Sequence, residues 1–252
     1  MSRDQRRRIQ LSPTYILHQK PYRDTSRILE VFTREHGRLT LFARGVRGPK
    51  SKLAAVLQPF QLLLASWSGR GEAAQLTACE CAPEATPLPA PHLMACFYLN
   101  ELLLKLTLRH DPHVGLFDAY GRTLTALRQG AALEPALRIF EKRLLEEVGF
   151  GVDLSSDAAT GEPIEPEAHY QFHPAQGLKR SACTGRGLIS GRSLLALARD
   201  SLSSASELED ARALLTAAIA HCLEGRELAT RAVARALVQR ARPSSSSPRE
   251  RP

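Results

Sequence analysis

Along the first eighty residues, apolar and polar positions alternate with the period of two that a strand with one buried face imposes. From Ile9 to His18, Tyr15 and Leu17 fall on one face, and Thr14, Ile16 and His18 fall on the other. Arg27 to Phe32 is apolar and β-branched. Arg38 to Arg44 alternates strictly, setting Leu39, Leu41 and Ala43 against Arg38, Thr40, Phe42 and Arg44. Between these two segments, Glu35-His36-Gly37 has the length and chemistry of a tight hairpin. Ser51 to Gln58 reads as a short helix or turn stopped by Pro59. Phe60 to Trp67 reads as a strand whose Leu62-Leu63-Leu64 run asks for burial on both sides. Ser68 to Gly71 is a turn, and Ala74 to Cys81 the last strand. Five strands at this spacing, with a short helix before the fourth, predict a five-stranded oligonucleotide-binding (OB) barrel.

Four prolines between Pro83 and Pro91 make a stiff connection. Beyond them the period becomes helical. Leu93, Phe97, Leu99, Leu102, Leu103 and Leu106 form a broad apolar stripe over His92 to Arg109. Val114 to Arg128 and Glu134 to Val148 predict two more helices, the latter with Pro135 in its first turn and stopped by Gly149-Phe150-Gly151. Residues 152–190 are irregular, with a short strand at Tyr170 to His173. Helices follow at Ser190 to Arg199, Ser206 to Leu223 and Arg226 to Arg240. The expected fold class is α+β: a barrel over 1–82, a linker over 83–91, a mostly helical domain over 92–241 and a disordered polar tail over 242–252.

Charge sharpens this picture. The chain has 252 residues and a formal net charge of +8. Residues 1–81 hold 14 of the 34 Lys and Arg but 6 of the 26 Asp and Glu, and the remainder carries 20 of each. The whole excess therefore sits on the predicted barrel, the footprint of a polyanion-binding surface. Arg23, Arg27, Arg34, Arg38, Arg44, Arg47, Lys50 and Lys52 are the candidate DNA contacts. Phe42, between Arg38 and Arg44 on the outward face, is the candidate base-stacking ring. Trp67 fits either a core position or a second stacking ring. A solvated strand pair with ordinary surface charge is the plainer reading, and an anionic membrane surface the other polyanion. No stretch approaches the ~20 apolar residues of a membrane span, and Met1 to Gln10 has no signal-peptide core. A cytoplasmic protein is expected.

Catalytic and metal motifs are weak. Cys79 and Cys81 form a C-x-C pair, and Cys183 has no cysteine two or three residues away, so no four-ligand zinc set assembles and no metal is expected. His92, His110-Asp111 and Asp118 follow the order of a metal-dependent phosphohydrolase, but Pro112 breaks the helix such a site needs. No phosphate-binding loop or nucleophile elbow is present. The chain reads as a binding protein rather than an enzyme, with a metal-dependent phosphohydrolase or a basic peripheral membrane protein as alternatives.

Several short blocks in order resemble the RecO family of recombination mediators. They are Leu17 to Ser26, Val31-Phe32-Thr33 with Gly37-Arg38, Ala43-Arg44-Gly45, Leu57 to Phe60, Gly69 to Glu72, Tyr98 to Leu103, and Glu134 to Arg138 continuing to Gly149-Phe150-Gly151. The resemblance spans residues 9 to about 240. It implies an OB barrel followed by a helical domain, with no bond-breaking chemistry. It also implies binding of single- and double-stranded DNA and annealing of complementary strands. The implied partners are RecR and the single-stranded-DNA-binding protein, with RecA loaded onto DNA that the latter coats. Some members carry a four-cysteine zinc site after the Gly-Phe-Gly turn. Here Leu154 to Gly161 has no cysteine and only Cys183 remains near the second pair's position, so residues 152–190 resemble that region without its ligand set. The resemblance also implies a docking site for the acidic C-terminal tail of the single-stranded-DNA-binding protein. On the helix Glu134 to Val148, helical spacing sets Arg138, Lys142 and Leu145 opposite the core-facing Leu137, Phe140 and Leu144, so these three are the expected tail contacts.

Overall fold

The computed structural model describes residues 8–48, 51–69, 73–82, 87–183, 185, 187–230 and 233. Five strands close a barrel in the order β1-β2-β3-β5-β4. They are β1 Arg8–Tyr22, β2 Ser26–Thr33, β3 Gly37–Ala43, β4 Leu63–Ser68 and β5 Ala73–Cys81. A one-turn helix, α1 Leu53–Val56, precedes β4. All ladders are antiparallel except the closing pair, where β3 runs parallel to β5 through Thr40–Ala73, Leu41–Ala74 and Phe42–Gln75. Inside the barrel lie Ile16, Leu29, Val31, Leu39, Leu41, Leu63 and Trp67. Trp67 is a core residue and no stacking platform. It is 5% exposed and meets the His36 ring edge-on at 5.4 Å.

The helical part contains α2 Leu93–Leu106, α3 Val114–Arg128, α4 Leu133–Glu147, α5 Gly191–Ala198 and α6 Ala205–Cys222. Residues 152–190 are more regular than expected. They form a three-stranded sheet in which β6 His169–His173 lies between β7 Gly177–Ser181 and β8 Ile189–Ser190. Asp157 organises the loop ahead of it, its carboxylate accepting from the backbone N–H groups of Ala159, Thr160 and Arg180. Among the described residues, no three His, Cys, Asp or Glu gather as metal ligands. The expected tail at 242–252 and most of the helix expected at Arg226 to Arg240 lie outside the described residues.

β1 is the hinge of the architecture because both its faces are buried. Ile16 enters the barrel core, while Tyr15 and Leu17 join the helical core beside Phe117, Tyr120 and Leu99. The β1–β2 register slips between Ile16 and His18, leaving Leu17 as an extra residue. This bulge shifts the alternation, so His18 is exposed rather than sharing the inward face of Ile16. The bulge turns the Leu17 carbonyl toward the helices. Asn100 of α2 donates to it from Nδ2 at 2.9 Å and receives the Tyr120 hydroxyl at Oδ1, 2.5 Å away. Asn100 is 2% exposed and Tyr120 is fully enclosed, so water cannot replace either bond. Burial pushes the Tyr120 hydroxyl well above its ordinary pKa, keeping it a neutral donor. Asn100→Ala should therefore lower stability by about 2–4 kcal/mol, the combined penalty of two buried polar groups losing their partner. Tyr120→Phe should cost about 1–2 kcal/mol. Urea unfolding checks both, and a loss below about 0.5 kcal/mol for Asn100→Ala would contradict this role.

Candidate nucleic-acid interface

The helical part also grips the barrel at the β2–β3 hairpin, and this contact divides the basic residues into two groups. Gly37 adopts φ +65°, and a Cβ there would meet the Asp111 carbonyl oxygen at 2.2 Å, so glycine is required for both the turn and the approach. The connection between α2 and α3 lies along the start of β3, with His110 N–H donating to the Arg38 carbonyl at 2.9 Å. Arg34 donates through Nε and Nη2 to both carboxylate oxygens of Asp118 on α3, each at 2.9 Å. This bidentate bond lowers the Asp118 pKa and raises that of Arg34. Arg38 reaches the Thr107 carbonyl at 2.9 Å and Glu30 at 3.5 Å. Burial, then the neighbouring Arg109 charge, pulls the Arg38 pKa below its ordinary value. Arg109 completes the group by gripping both oxygens of Glu30 at 2.8 and 2.9 Å.

Arg34 and Arg38 are thus interface residues rather than free phosphate contacts. The outward face of β3 is covered at its Arg38–Thr40 end, where Thr40 is buried and donates to Glu30. Asp118 has the same assignment. It holds Arg34, which accounts for it without metal chemistry.

The other end of β3 is open. There Tyr22, Arg23, Asp24, Phe42, Arg44 and Gln75 line a groove of about 960 Å³. The Phe42 ring stands edge-on to Tyr22, centroids 5.0 Å apart at 79°. Arg44 lies over Phe42 at 5.7 Å, and Arg23 over Tyr22 at 5.3 Å. Arg23, Arg44 and Arg47 are exposed. Arg23 sits at φ +50°, a conformation that costs a non-glycine residue about 1 kcal/mol. Arg47 buttresses the turn, donating from Nη1 to the Arg23 carbonyl at 3.1 Å and from its backbone N–H to the Thr25 carbonyl at 2.9 Å. Arg27 shares the parity of Leu29 and Val31, which places it on the barrel's inner side, and it donates to Gln19. Lys52 is exposed outside the groove lining, and Lys50 lies outside the described residues. Two aromatic rings, each with a guanidinium over it, form a platform where bases can stack while the cations meet phosphate oxygens.

A family model described as "Recombination protein O N terminal" matches residues 10–83, and one described as "Recombination protein O C terminal" matches residues 91–232. The chain belongs to the RecO family. Its relatives named "DNA repair protein RecO" include one from Ralstonia nicotianae, 41% identical over 229 residues, covering 90% of this chain and 84% of that protein. The relative from Aromatoleum aromaticum is 40% identical over 235 residues, 92% of this chain and 98% of that protein. Another, from Methylococcus capsulatus, is 42% identical over 224 residues, 89% and 92% of the two chains. The chain is thus a member of a DNA repair and recombination family. No helix among its described residues is long and apolar enough to cross a membrane.

The expected partner contacts on α4 need correction. Leu145 is 1% exposed and belongs to the helical core. Lys142 is 5% exposed, and its ammonium caps the end of α5 through the carbonyls of Leu197 and Ala198 and the Asp200 carboxylate. The cause is that α4 packs against α3 on one side and α6 on another, so it has no broad solvent face. Arg138 is also buried, paired with Glu141 at 2.8 Å. Its Nε nevertheless has no partner, and the residue lines an apolar pocket of about 300 Å³ with Met94, Tyr98, Leu137 and Arg212. Tyr22 and Gln75 of the groove were missed by sequence reasoning. Tyr22 falls beyond the expected end of the first strand, and the position of Gln75 depends on the parallel β3–β5 closure.

Proposed function

We propose that this chain binds single-stranded DNA in the groove between Tyr22 and Phe42, contacts duplex DNA through phosphates alone, and anneals complementary strands. Family membership supports a role alongside RecR in loading RecA onto DNA coated by single-stranded-DNA-binding protein. The observation that carries the reading is the paired stack in the groove, Arg23 over Tyr22 and Arg44 over Phe42. Stacking tolerates any base, whereas guanidinium–phosphate contacts lower the repulsion between two strands brought together. No bond is made or broken, so the activity is a change in strand-pairing rate.

Fluorescence anisotropy with a labelled oligothymidylate tests this reading. Charge reversal at Arg23 and Arg44 together should reduce the slope of log affinity against log salt by roughly 1.4, at ~0.7 for each single-strand contact. Phe42→Ala should weaken binding by about 1–3 kcal/mol. Arg34→Ala should leave the slope unchanged. A slope that responds to Arg34 and not to Arg23 and Arg44 would contradict the assignment.

The pocket beside Arg138 supports a second contact, with the tail of the single-stranded-DNA-binding protein. Its apolar lining and unpartnered Arg138 Nε suit an apolar C-terminal residue with a free carboxylate. Met94 is 39% exposed and therefore a safer probe than buried Arg138. Met94→Glu should weaken binding of an acidic tail peptide about tenfold by like-charge repulsion and lost apolar contact, without altering oligonucleotide binding. Unchanged peptide affinity would place the tail elsewhere.

A further inference from the structure

One carboxylate lies in a groove otherwise built for an anion. Asp24 is exposed at the tip of the β1–β2 turn and lines the same groove as Tyr22, Arg23, Phe42 and Arg44. Facing phosphate, it can only repel, so a groove serving the backbone alone would be better without it. It is also not consumed internally. Among the described residues Asp24 has no ion pair or side-chain hydrogen bond, although three exposed arginines, Arg23, Arg44 and Arg47, occupy the two turns here. The backbone that carries it is nonetheless held. The carbonyls on either side, those of Arg23 and Thr25, are both held by Arg47. The turn therefore presents an unpaired carboxylate, on a held backbone, in the groove that Tyr22 and Phe42 also line.

We propose that Asp24 reads the Watson–Crick edge of a stacked guanine, giving the groove a base preference. This rests on the groove being the single-strand site. A carboxylate offers two parallel acceptors and no donor. Guanine alone among the four bases presents two adjacent donors on that edge, N1–H and the N2 amino group, matching the two oxygens as an arginine fork does. Adenine and cytosine each present one amino donor beside a ring-nitrogen acceptor that the carboxylate repels. Thymine presents N3–H between two carbonyl oxygens, both repelled. Arg23 and Arg44 would meanwhile hold the flanking phosphates, offsetting the repulsion between those phosphates and Asp24.

The test uses the full chain and a short oligothymidylate carrying one central substitution. With guanine at that position the affinity should rise about three- to tenfold over the parent, the discrimination of one bidentate base contact discounted for exposure. Inosine, which lacks the N2 amino group, should lose most of that gain. 7-Deazaguanine, which keeps the Watson–Crick edge and lacks N7, should retain it. Asp24→Asn should abolish the preference while leaving affinity for the parent oligonucleotide equal or higher. Equal affinity for the guanine and parent strands would overturn the inference. So would a preference that survives Asp24→Asn, or one lost with 7-deazaguanine, which would indicate an arginine reading N7. If parent-strand binding also ignores charge reversal at Arg23 and Arg44, the groove itself is misassigned. If it obeys them and no guanine preference appears, only the role of Asp24 falls.

Discussion

A single bulged strand, β1, is shared between two hydrophobic cores, and one buried asparagine fixes how they meet. An ordinary strand of a small barrel buries one face and gives the other to water. β1 cannot, because Tyr15 and Leu17 are as deeply buried among the helices as Ile16 is within the barrel. The bulge at Leu17 leaves a carbonyl outside the ladder, and Asn100 satisfies it while receiving the Tyr120 hydroxyl. Apolar contact alone would allow the helices to slide over the strand. The buried hydrogen bonds select one register, since any other leaves these groups unmatched.

That register determines what each arginine does. With α3 seated on β1, Asp118 faces Arg34, and the end of α2 reaches Arg38. The Arg34–Asp118 pair is half-exposed and contributes little stability by itself. The consequence of both contacts is positional: Arg34 and Arg38 are engaged by the helical part, and the arginines left exposed lie at the far end of β3. There Arg23 and Arg44 lie over Tyr22 and Phe42, and Arg47 holds the Arg23 carbonyl. The strained backbone at Arg23 belongs to the same turn, as is common where geometry serves a ligand. The helical part thus focuses the charge of the barrel as well as supporting its fold.

Much of this was legible in the sequence because periodicity reports burial directly. Alternation separated Leu39, Leu41 and Ala43 from Phe42 and Arg44, and Val114 to Arg128 begins and ends as a helix where its pattern does. Other features depend on contacts distant in sequence. The bulge at Leu17 leaves no local mark, so strict alternation put His18 on the same face as Ile16, from which the bulge removes it. A count of positive charge cannot distinguish an arginine facing phosphate from one facing Asp118, 84 residues away. The helical wheel of α4 assumes a single buried face, and it failed for Lys142 and Leu145 because neighbouring helices enclose more than one. The order of the residue blocks was informative where charge was not, since it pointed to the family independently of which arginines are free.

The proposed DNA contact is the Tyr22–Phe42 groove, left open because the α2–α3 connection and Asp118 engage Arg38 and Arg34. Amide hydrogen exchange of the full chain, with and without a saturating oligothymidylate, measures this directly. Protection should appear in the turn at residues 23–26 and at residues 44–45, which line the groove. The segment 34–36, on the opposite side of the hairpin contact, should be unchanged. Protection concentrated at 34–36 and at 107–111, with none around 23–26, would contradict the account.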